Sequence, residues 1–317
     1  MADPVPSLTI AVLTFQRPSD IEDILPSLVA QAVTAQAEGL HVSITVVDND
    51  PLGSARETVV GFSRASAVDV EYRHEPVPGI SAARNCALDS ASDSDLLVFI
   101  DDDERPTDAW LSLLLSTWRL TGATAVVGPV VSTFEVEPDP WISAGRFFQR
   151  KRVQSGTVVG VAATNNLLLD LRFVRAHDIR FDLAFGITGG DDTMFTRELT
   201  RAGGMIVWCD EAIVMDIVPR HRITRRWVTL RAMSSGNSWA ITSVKLERSA
   251  FRRLVTRTRL TGKGGVRLLG GGIRFAGGIV TGRVDLRARG VRTLARGVGM
   301  VGGAWGYKYL EYRRPVD

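Results

Sequence analysis

The chain has 317 residues, of which 45% are hydrophobic and 23% are charged, a balance that excludes a wholly disordered protein and fits one large domain with an appendage. Its two cysteines, Cys86 and Cys209, each stand alone, which disfavours a disulfide framework or a cysteine-based zinc site and favours a reducing compartment. No signal peptide is recognised, and the longest uncharged run, over residues 153–169, is too short and too polar for a membrane span.

Short β-branched runs through the first two thirds of the chain predict six strands. They cover residues 8–14, 43–48, 70–74, 95–101, 124–130 and 205–209. Helices are predicted over residues 19–37, where Pro26 is expected to kink the helix, and over residues 80–91 and 107–120. Strands that alternate with helices are typical of a mostly parallel sheet with helices on both faces, so the predicted fold class is α/β.

Charge divides the chain into two parts. The segment from residue 251 onward has 15 Lys or Arg, 3 Asp or Glu and half of the 30 glycines, whereas the rest of the chain is net acidic. An acidic main domain and a basic, glycine-rich tail are physically different objects. We therefore predict a main domain over residues 1–245 and a C-terminal extension over residues 246–317.

Four consecutive carboxylates follow the fourth predicted strand. They are Asp101, Asp102, Asp103 and Glu104, called the acid cluster below. In extended backbone, Asp101 and Asp103 project to the same face, and like charges so close raise one another's pKa unless a cation compensates. Mg²⁺ and Mn²⁺ favour such oxygen ligands together with phosphate oxygens. Since ligands bind beyond the carboxyl ends of parallel strands, the pattern predicts a metal site here.

Other interpretations of the acid cluster stay open. In a solvated acidic turn, Asp103 or Glu104 would cap the next helix. A haloacid-dehalogenase-like phosphatase also uses Asp-x-Asp after a strand, but it usually has Thr or Val where this chain has Arg105. A nucleotidyltransferase usually has a Gly-rich loop and Lys after its first strand, where this chain has Gln16-Arg17-Pro18.

Five motifs in order give the sequence a resemblance to the family 2 glycosyltransferases of GT-A fold, nearest to the polysaccharide- and succinoglycan-type transferases. The motifs are Leu13-Thr14-Phe15-Gln16-Arg17-Pro18, Val46-Val47-Asp48-Asn49-Asp50, Gly79-Ile80-Ser81-Ala82-Ala83-Arg84-Asn85, Phe99-Ile100-Asp101-Asp102-Asp103-Glu104 and Gly189-Gly190-Asp191-Asp192-Thr193-Met194-Phe195. The resemblance spans residues 8–239. Each motif alone is weak, and the ordered set is specific.

The resemblance implies a role for each strand-end residue. The donor nucleotide is expected to contact Thr14, Phe15, Arg17, Asp48, Arg84, Asp101 and Asp102. Asp48 would accept a hydrogen bond from the base, and Arg84 would contact base or phosphate, since a guanidinium group binds phosphate through paired hydrogen bonds. The structural alternatives are a strand-end cap for Asp48, a helix-surface cation for Arg84 and a core position for Phe15.

Catalysis is expected at the Gly-Gly-Asp-Asp motif, with Asp192 as general base and Asp191 as a supporting or acceptor-binding group. The family often has Glu at the position of Asp191, and helix capping is the structural alternative for this pair. Relatives often carry a His at the position of Asp216, so either Asp216 or His221 is expected to join Asp103 and Asp101 around the metal. A solvated basic loop is the alternative for His221.

The tail pairs basic side chains with apolar ones and is rich in glycine, which disfavours an isolated helix by up to about 1 kcal/mol per residue. Order is therefore expected only through close helix packing or membrane contact. An anionic inner-membrane surface and plain solvated helices are the two interpretations that stay open. Nucleic acid is not expected, because no recognised nucleic-acid motif accompanies the charge.

Together these observations predict an inverting, metal-dependent glycosyltransferase. The expected cofactor is Mg²⁺ or Mn²⁺, the donor a nucleotide-diphosphate sugar, most simply a UDP-sugar, and the acceptor a hydroxyl of a sugar or lipid-linked molecule. The predicted location is cytoplasmic or peripheral at the cytoplasmic face of the membrane. The alternative is a non-catalytic nucleotide-sugar-binding scaffold at the membrane surface.

Overall fold

A computed structural model describes residues 6–310 of the chain. Contacts divide the chain into two compact units. Unit 1 comprises Met1–Val131, Arg150–Gly186 and Phe195–Ile217, and unit 2 comprises Ser132–Gln149, Ile187–Met194 and Val218–Asp317. The predicted boundary at residue 245 lies inside unit 2, so the assignment of a catalytic domain and an extension stays a prediction about function. Residues 1–5 and 311–317, which those predicted domains include, lie outside the described part.

The strands form two sheets. They are β1 Ser7–Thr14, β2 His41–Asp48, β3 Asp69–His74, β4 Leu96–Asp101, β5 Glu104–Pro106, β6 Ala125–Val127, β7 Val130–Phe134, β8 Val158–Val159, β9 Asn166–Asp170, β10 Ile206–Trp208 and β11 Val214–Val218. The large sheet has the order β3-β2-β1-β4-β9-β6-β10-β8, and the small sheet has the order β5-β11-β7. In the large sheet β1 pairs in parallel with β2 and β4, whereas β9 is antiparallel to β4 and β6.

The described part of the chain contains ten α-helices. They are α1 Pro18–Ala37, α2 Arg56–Ser63, α3 Ile80–Ser90, α4 Trp110–Thr121, α5 Pro140–Gly145, α6 Leu171–Ala176, α7 Asp191–Arg201, α8 Arg225–Lys245, α9 Ala250–Val280 and α10 Val284–Ala304. Within residues 6–310, no helix is both long enough and apolar enough to cross a membrane.

The large sheet has an apolar core on each face, because alternate residues of a strand point to opposite faces. On one face Leu8, Ile10 and Val12 of β1 are buried with apolar residues of α1, α2 and α4. On the other face Ala11 and Leu13 are buried with residues of α3, α6 and α7. This confirms the predicted mostly parallel sheet with helices on both faces.

The sequence located the first four strands within two residues of their ends, because each contains β-branched or aromatic residues at successive or alternate positions. α1 follows its predicted range and continues through Pro26. The strand predicted over residues 124–130 is instead two strands, β6 and β7, separated by Gly128 and Pro129. Proline has no N–H to pair, and a Cβ on Gly128 would lie 2.1 Å from the carbonyl oxygen of Ala212, so both residues suit a break.

Unit 2 orders the glycine-rich tail through close helix packing. α10 packs along both α8 and α9. Gly264, Gly271 and Gly278 of α9, spaced seven residues apart, are buried on one side of that helix. A Cβ on Gly271 would lie 3.0 Å from the carbonyl oxygen of Gly290, and a Cβ on Gly299 would lie 1.9 Å from that of Met233 in α8. The glycines therefore permit backbone approach that any side chain would prevent.

Candidate active site

The acid cluster of unit 1 lies where β4 ends, beside the end of β1. The hydroxyl of Thr14 donates a hydrogen bond to Oδ2 of Asp102 over 2.8 Å. Nη1 of Arg17 lies 2.9 Å from Oδ1 of Asp102 and 2.9 Å from Oδ2 of Asp103. Parallel pairing of β1 with β4 places Leu13 opposite Asp101, which brings the two strand ends together. The structure thus joins two motifs that the sequence separates by more than eighty residues.

Burial and mutual repulsion keep this cluster reluctant to ionise. Burial, with Asp103 and Asp102 nearby, raises the pKa of Asp101 to about 7, although the charge of Arg84 opposes this shift. Burial, with Asp103, raises the pKa of Asp102 to about 6, against the lowering effect of Arg17. Burial and the charge of Asp101 raise the pKa of Glu104 well above its ordinary value. A cation entering here would be stabilised by all of these carboxylates.

Arg17 is the positively charged side chain that pairs with the acid cluster. Burial disfavours its charge, but the carboxylates of Asp102 and Asp103 more than offset that cost, so the pKa of Arg17 lies above its usual value. Gln16, immediately before it, has a φ of 56°, the left-handed region that few non-glycine residues adopt. This sharp turn after β1 directs Arg17 back toward the end of β4.

Glu104 has a structural position that the sequence did not reveal. It is 1% exposed, and its carboxylate accepts hydrogen bonds from the backbone N–H of Asp101 and from the side-chain amide of Asn165. Asn165 belongs to the uncharged run over residues 153–169, in which the sequence shows no motif. The two adjacent Asn residues in that run are the one signal that could have pointed to a site.

Asp216 lies beside the acid cluster in the small sheet. β11 pairs antiparallel with β5, and Asp216 is the register partner of Glu104. The backbone N–H of Ile217 donates to the carbonyl oxygen of Asp103 over 3.2 Å. Nη2 of Arg150 lies 3.4 Å from Oδ2 of Asp216, and the charge of Arg150 also lowers the pKa of Asp101 and Glu104. Asp216 is therefore brought to the cluster together with a counter-charge.

Arg84 is also brought to the cluster. Its side chain is 7% exposed, and its guanidinium carbon lies 5.6 Å above the ring of Phe181. Its charge lowers the pKa of Asp101, which places it within electrostatic reach of the strand end. Gly79, just before α3, has a φ of 122°, and a Cβ there would lie 3.2 Å from the backbone of Gly186. This close approach fixes the start of the helix that carries Arg84, so a helix-surface position does not describe it.

The carboxylate of Asp48 is hydrogen-bonded by other groups of the protein. Its carboxylate accepts hydrogen bonds from the backbone N–H of Asp50 over 2.9 Å and of Ala55 over 2.8 Å, and from the hydroxyl of Tyr72 over 3.2 Å. The side chain is fully buried. These bonds describe a cap of the loop after β2, the structural alternative noted above. Phe15, the remaining predicted donor contact, is partly exposed at the end of β1.

Asp191 and Asp192 occupy the first turn of α7, in unit 2. Asp191 is 3% exposed, whereas Asp192 is partly exposed and accepts a hydrogen bond from the backbone N–H of Thr193. Gly189 and Gly190 have φ angles of 72° and 93°, and a Cβ on Gly190 would lie 2.8 Å from Ser238. The two glycines are thus required by the backbone path that leads into the aspartate pair.

His221 lies in a short 3₁₀ turn, Arg220–Arg222, of unit 2. Its side chain is exposed and lines a shallow cleft with Glu135, Glu137 and Thr224. Asp216 is placed beside the acid cluster within unit 1, whereas His221 belongs to unit 2, and the part of either residue in a metal site stays a prediction.

The donor set of the acid cluster fits a hard divalent cation. Asp101 and Asp103 offer carboxylate oxygens, and the raised pKa of Asp101 shows that its charged form lacks compensation that an added cation would supply. Within residues 6–310, no group of three or more His, Cys, Asp or Glu side chains is already arranged around one metal position. The fit is therefore that of a Mg²⁺- or Mn²⁺-type site with one or two protein carboxylates, where a bound phosphate supplies further ligands.

Comparison with known proteins identifies the family. The family described as "Glycosyl transferase family 2" matches residues 9–170, which contain β1 to β4 and the acid cluster. The chain is 36% identical over 231 residues to the succinoglycan biosynthesis protein ExoM of Rhizobium meliloti (strain 1021), covering 73% of each protein. The chain belongs to glycosyltransferase family 2. It is also 26% identical over 220 residues to the glycosyltransferase AglE of Haloferax volcanii, covering 67% of each.

Solved structures show the same fold. A mannosyltransferase from Pyrobaculum calidifontis, in complex with GDP-Man and Mn²⁺, superposes with a TM-score of 0.62 at 15% identity and covers 95% of this chain and 88% of its own. S. aureus TarS 1–349 in complex with UDP superposes with a TM-score of 0.53 at 13% identity, covering 91% and 90%. Together with the sheet and its flanking helices, these likenesses show that this glycosyltransferase has the GT-A fold, with a helical C-terminal region.

Proposed function

We propose that this glycosyltransferase moves a sugar from a nucleotide-diphosphate sugar, most simply a UDP-sugar, to a hydroxyl acceptor in polysaccharide, cell-envelope or other glycoconjugate biosynthesis. The observation that carries the proposal is the acid cluster, held at the end of β4 by Thr14 and Arg17. The similarity to a succinoglycan biosynthesis protein supports a sugar acceptor. Structural neighbours bound to UDP or to GDP-Man support a nucleotide-sugar donor.

In this proposal the donor diphosphate lies against the ends of β1 and β4. Arg84 binds a phosphate or the base, since its guanidinium group is held near Asp101 by packing over Phe181. Phe15 packs on the base, and Asp101 and Asp102 hold the ribose. Asp48, whose carboxylate already accepts three hydrogen bonds from the protein, shapes the base pocket by fixing its loop.

The proposed cofactor is Mg²⁺ or Mn²⁺, held by Asp103 and Asp101 with Asp216 nearby. When bound, the cation stabilises the negative charge that develops on the leaving diphosphate. Arg17 pairs with both Asp102 and Asp103, and its pair with Asp102 would allow Asp103 to hold the cation. The Pyrobaculum calidifontis mannosyltransferase, solved with Mn²⁺, supports a divalent ion.

The proposed chemistry is a single displacement with inversion. The acceptor oxygen forms a bond to the anomeric carbon as the bond from that carbon to the diphosphate oxygen breaks, and the leaving group keeps the electron pair. Asp192 accepts the proton of the acceptor hydroxyl, and Asp191 holds the acceptor. The position of Asp192 in the first turn of α7, partly exposed, suits a base that meets an incoming hydroxyl.

A donor-turnover assay tests the proposal. The full-length chain is incubated with UDP-, GDP- and dTDP-sugars, with Mn²⁺ or with a chelator, and the release of nucleoside diphosphate is followed together with the anomeric configuration of the product by NMR. We expect metal-dependent turnover of one donor with inversion. The Asp192→Asn variant is expected to lose about 10²–10⁴-fold in rate while still binding the donor.

Two results would contradict the proposal. Metal-independent donor binding without turnover, across a panel of sugar and lipid-linked acceptors, would favour the non-catalytic scaffold. Retention of configuration would remove the single displacement and the role of Asp192. Asp178→Asn serves as the matched control, because Asp178 is an exposed aspartate outside the site motifs.

A further inference from the structure

α9 exposes an apolar stripe along its whole length. Phe251, Val266, Leu269, Ile273 and Val280 are 71–87% exposed. At 100° per residue, these five positions and Val255 fall within an arc of about 60° around the helix axis. From Phe251 to Val280 the stripe is about 44 Å long at 1.5 Å per residue. We call these six residues the α9 stripe.

The opposite side of α9 is the packed side. Leu260, Gly264, Gly271 and Gly278 are the buried residues of the helix, and they lie about 180° from the α9 stripe. A Cβ on Gly264 would lie 3.2 Å from the carbonyl oxygen of Gly297 in α10. The packed side of α9 thus consists mainly of glycines together with Leu260, while the large apolar residues of the α9 stripe face outward. This is the reverse of an ordinary surface helix.

A row of cations runs along one edge of the α9 stripe. Arg252, Arg259, Lys263 and Arg274 are exposed and lie within an arc of about 60° that directly adjoins the apolar arc. The whole of α9 contains seven Arg or Lys and no Asp or Glu. Trp305 is held at the N-terminal half of α9, where its indole N–H donates to Thr261 over 3.0 Å and its ring lies under Arg257, and it is 57% exposed.

We propose that the α9 stripe and its cation row form a docking surface for an anionic lipid bilayer, with α9 lying in the plane of the headgroups. Apolar side chains would enter the acyl boundary, and the cations would meet the headgroup phosphates. No helix of the described chain spans a bilayer, so the contact is lateral.

Charge and shape favour this occupant over two others. A second copy of the same surface would offer no acidic side chain of α9 to pair the cations, and a two-fold axis across antiparallel helices would place the two cation rows side by side. A nucleic acid would satisfy the cations but would leave six large apolar side chains against phosphates and water. A bilayer with anionic headgroups matches both halves of the surface at once.

The test is sedimentation of the full-length protein with phosphatidylcholine vesicles, prepared with and without an equal part of phosphatidylglycerol. We expect binding to the anionic vesicles that weakens in high salt. In a triple variant Val266→Ser/Leu269→Ser/Ile273→Ser, the affinity for the anionic vesicles is expected to fall at least about tenfold. Circular dichroism and the melting temperature of the variant check that α9 remains folded.

A matched control replaces exposed apolar residues elsewhere, Leu52→Ser/Leu120→Ser, whose side chains are 90% and 87% exposed. This control is expected to bind vesicles like the unmodified protein. Equal binding by the stripe variant and the control would overturn the proposal. The proposal would also be overturned if the protein failed to bind anionic vesicles and instead formed dimers or bound duplex DNA, and if the stripe variant abolished that association. Dimer formation is measured by analytical ultracentrifugation.

Discussion

Two strands that flank β1 both end in aspartate, and the protein uses the two ends differently. At the end of β2, the carboxylate of Asp48 is fully buried and accepts two backbone hydrogen bonds and one from Tyr72. At the end of β4, Asp101 and Asp102 face other carboxylates, which together with burial raises their pKa values to about 7 and about 6. An aspartate that backbone amides satisfy supports the loop, whereas aspartates that oppose one another are prepared for a cation from outside.

Neutralising one carboxylate at the end of β4 is expected to have the largest effect and tests the difference between the two strand ends most directly. Asp103→Asn is expected to lower glycosyl transfer at least about 100-fold, because the cation that neutralises the leaving diphosphate loses a ligand. The melting temperature is expected to change little, since the Arg17–Asp103 pair is partly exposed. Asp108→Asn, an exposed neighbour, is the control. Substantial transfer by the Asp103 variant would remove its assigned role.

The β2 end should respond in the opposite way. Asp48→Ala is expected to destabilise the protein by about 2–3 kcal/mol, because the backbone N–H groups of Asp50 and Ala55 would be left buried without an acceptor. Urea denaturation followed by circular dichroism measures this loss. Asp69→Ala, at an exposed position of β3, should be close to neutral. A large loss of activity with unchanged stability would instead make Asp48 a donor contact.

Stability should also depend on pH at the β4 end. The folded-state pKa values of Asp101 and Asp102 are raised above the ordinary 3.8, so between about pH 4 and pH 7 the folded protein binds more protons than the unfolded chain. The contribution of these groups is therefore present at acidic pH and is lost as the pH rises through about 6 to 7. Melting temperatures from pH 5 to 8 without added metal measure this trend.

Added Mn²⁺ sharpens the same experiment. Because a cation competes with protons for the carboxylates, the stabilisation by Mn²⁺ is expected to grow as the pH rises. In Asp101→Asn the downward slope should be shallower and the Mn²⁺ effect smaller. A slope that is identical in this variant would show that the β4 end does not control the pH dependence.

The smallest expected effect tests one bond at the β2 end. Tyr72→Phe removes the hydroxyl that donates to Asp48 over 3.2 Å and keeps the ring. We expect a loss of about 1 kcal/mol in the free energy of unfolding and unchanged transfer. Tyr307→Phe, on a side chain that is 57% exposed, is the control. Loss of transfer in the Tyr72 variant would mean that Asp48 acts on the donor.

The sequence predicted those parts of the fold that are local in the chain. β1 to β4, α1, α3 and α4 were located because each strand contains β-branched or aromatic residues at successive or alternate positions and each helix has helical spacing. The insertion of β9 between β4 and β6 was missed, since antiparallel pairing of Asn166 with Ile100 depends on residues far apart in sequence. Asn165 and Arg150 were missed for the same reason. The contact of Asn165 with Glu104 and the contact of Arg150 with Asp216 form only when the chain folds.

Residue type alone could not separate the two strand ends. Asp48 and Asp101 follow similar apolar strands, and the difference lies in which partners the next few residues supply. The loop after Asp48 turns its own amides, at Asp50 and Ala55, toward the carboxylate. After Asp101 the chain supplies further carboxylates instead. The roles of Asp191 and Asp192 stay predictions that kinetics must test.

The seven-residue spacing of Gly264, Gly271 and Gly278 has a consequence for how the protein acquires its structure during synthesis. α9 leaves the ribosome before α10, and its glycines make it a poor helix on its own. The packing that offsets the low helix propensity of these glycines comes from Gly290 and Gly297, which are translated later. The two segments must therefore become helical together, and α9 should stay largely unstructured until the turns of α10 that contain Gly290 and Gly297 are available to meet it.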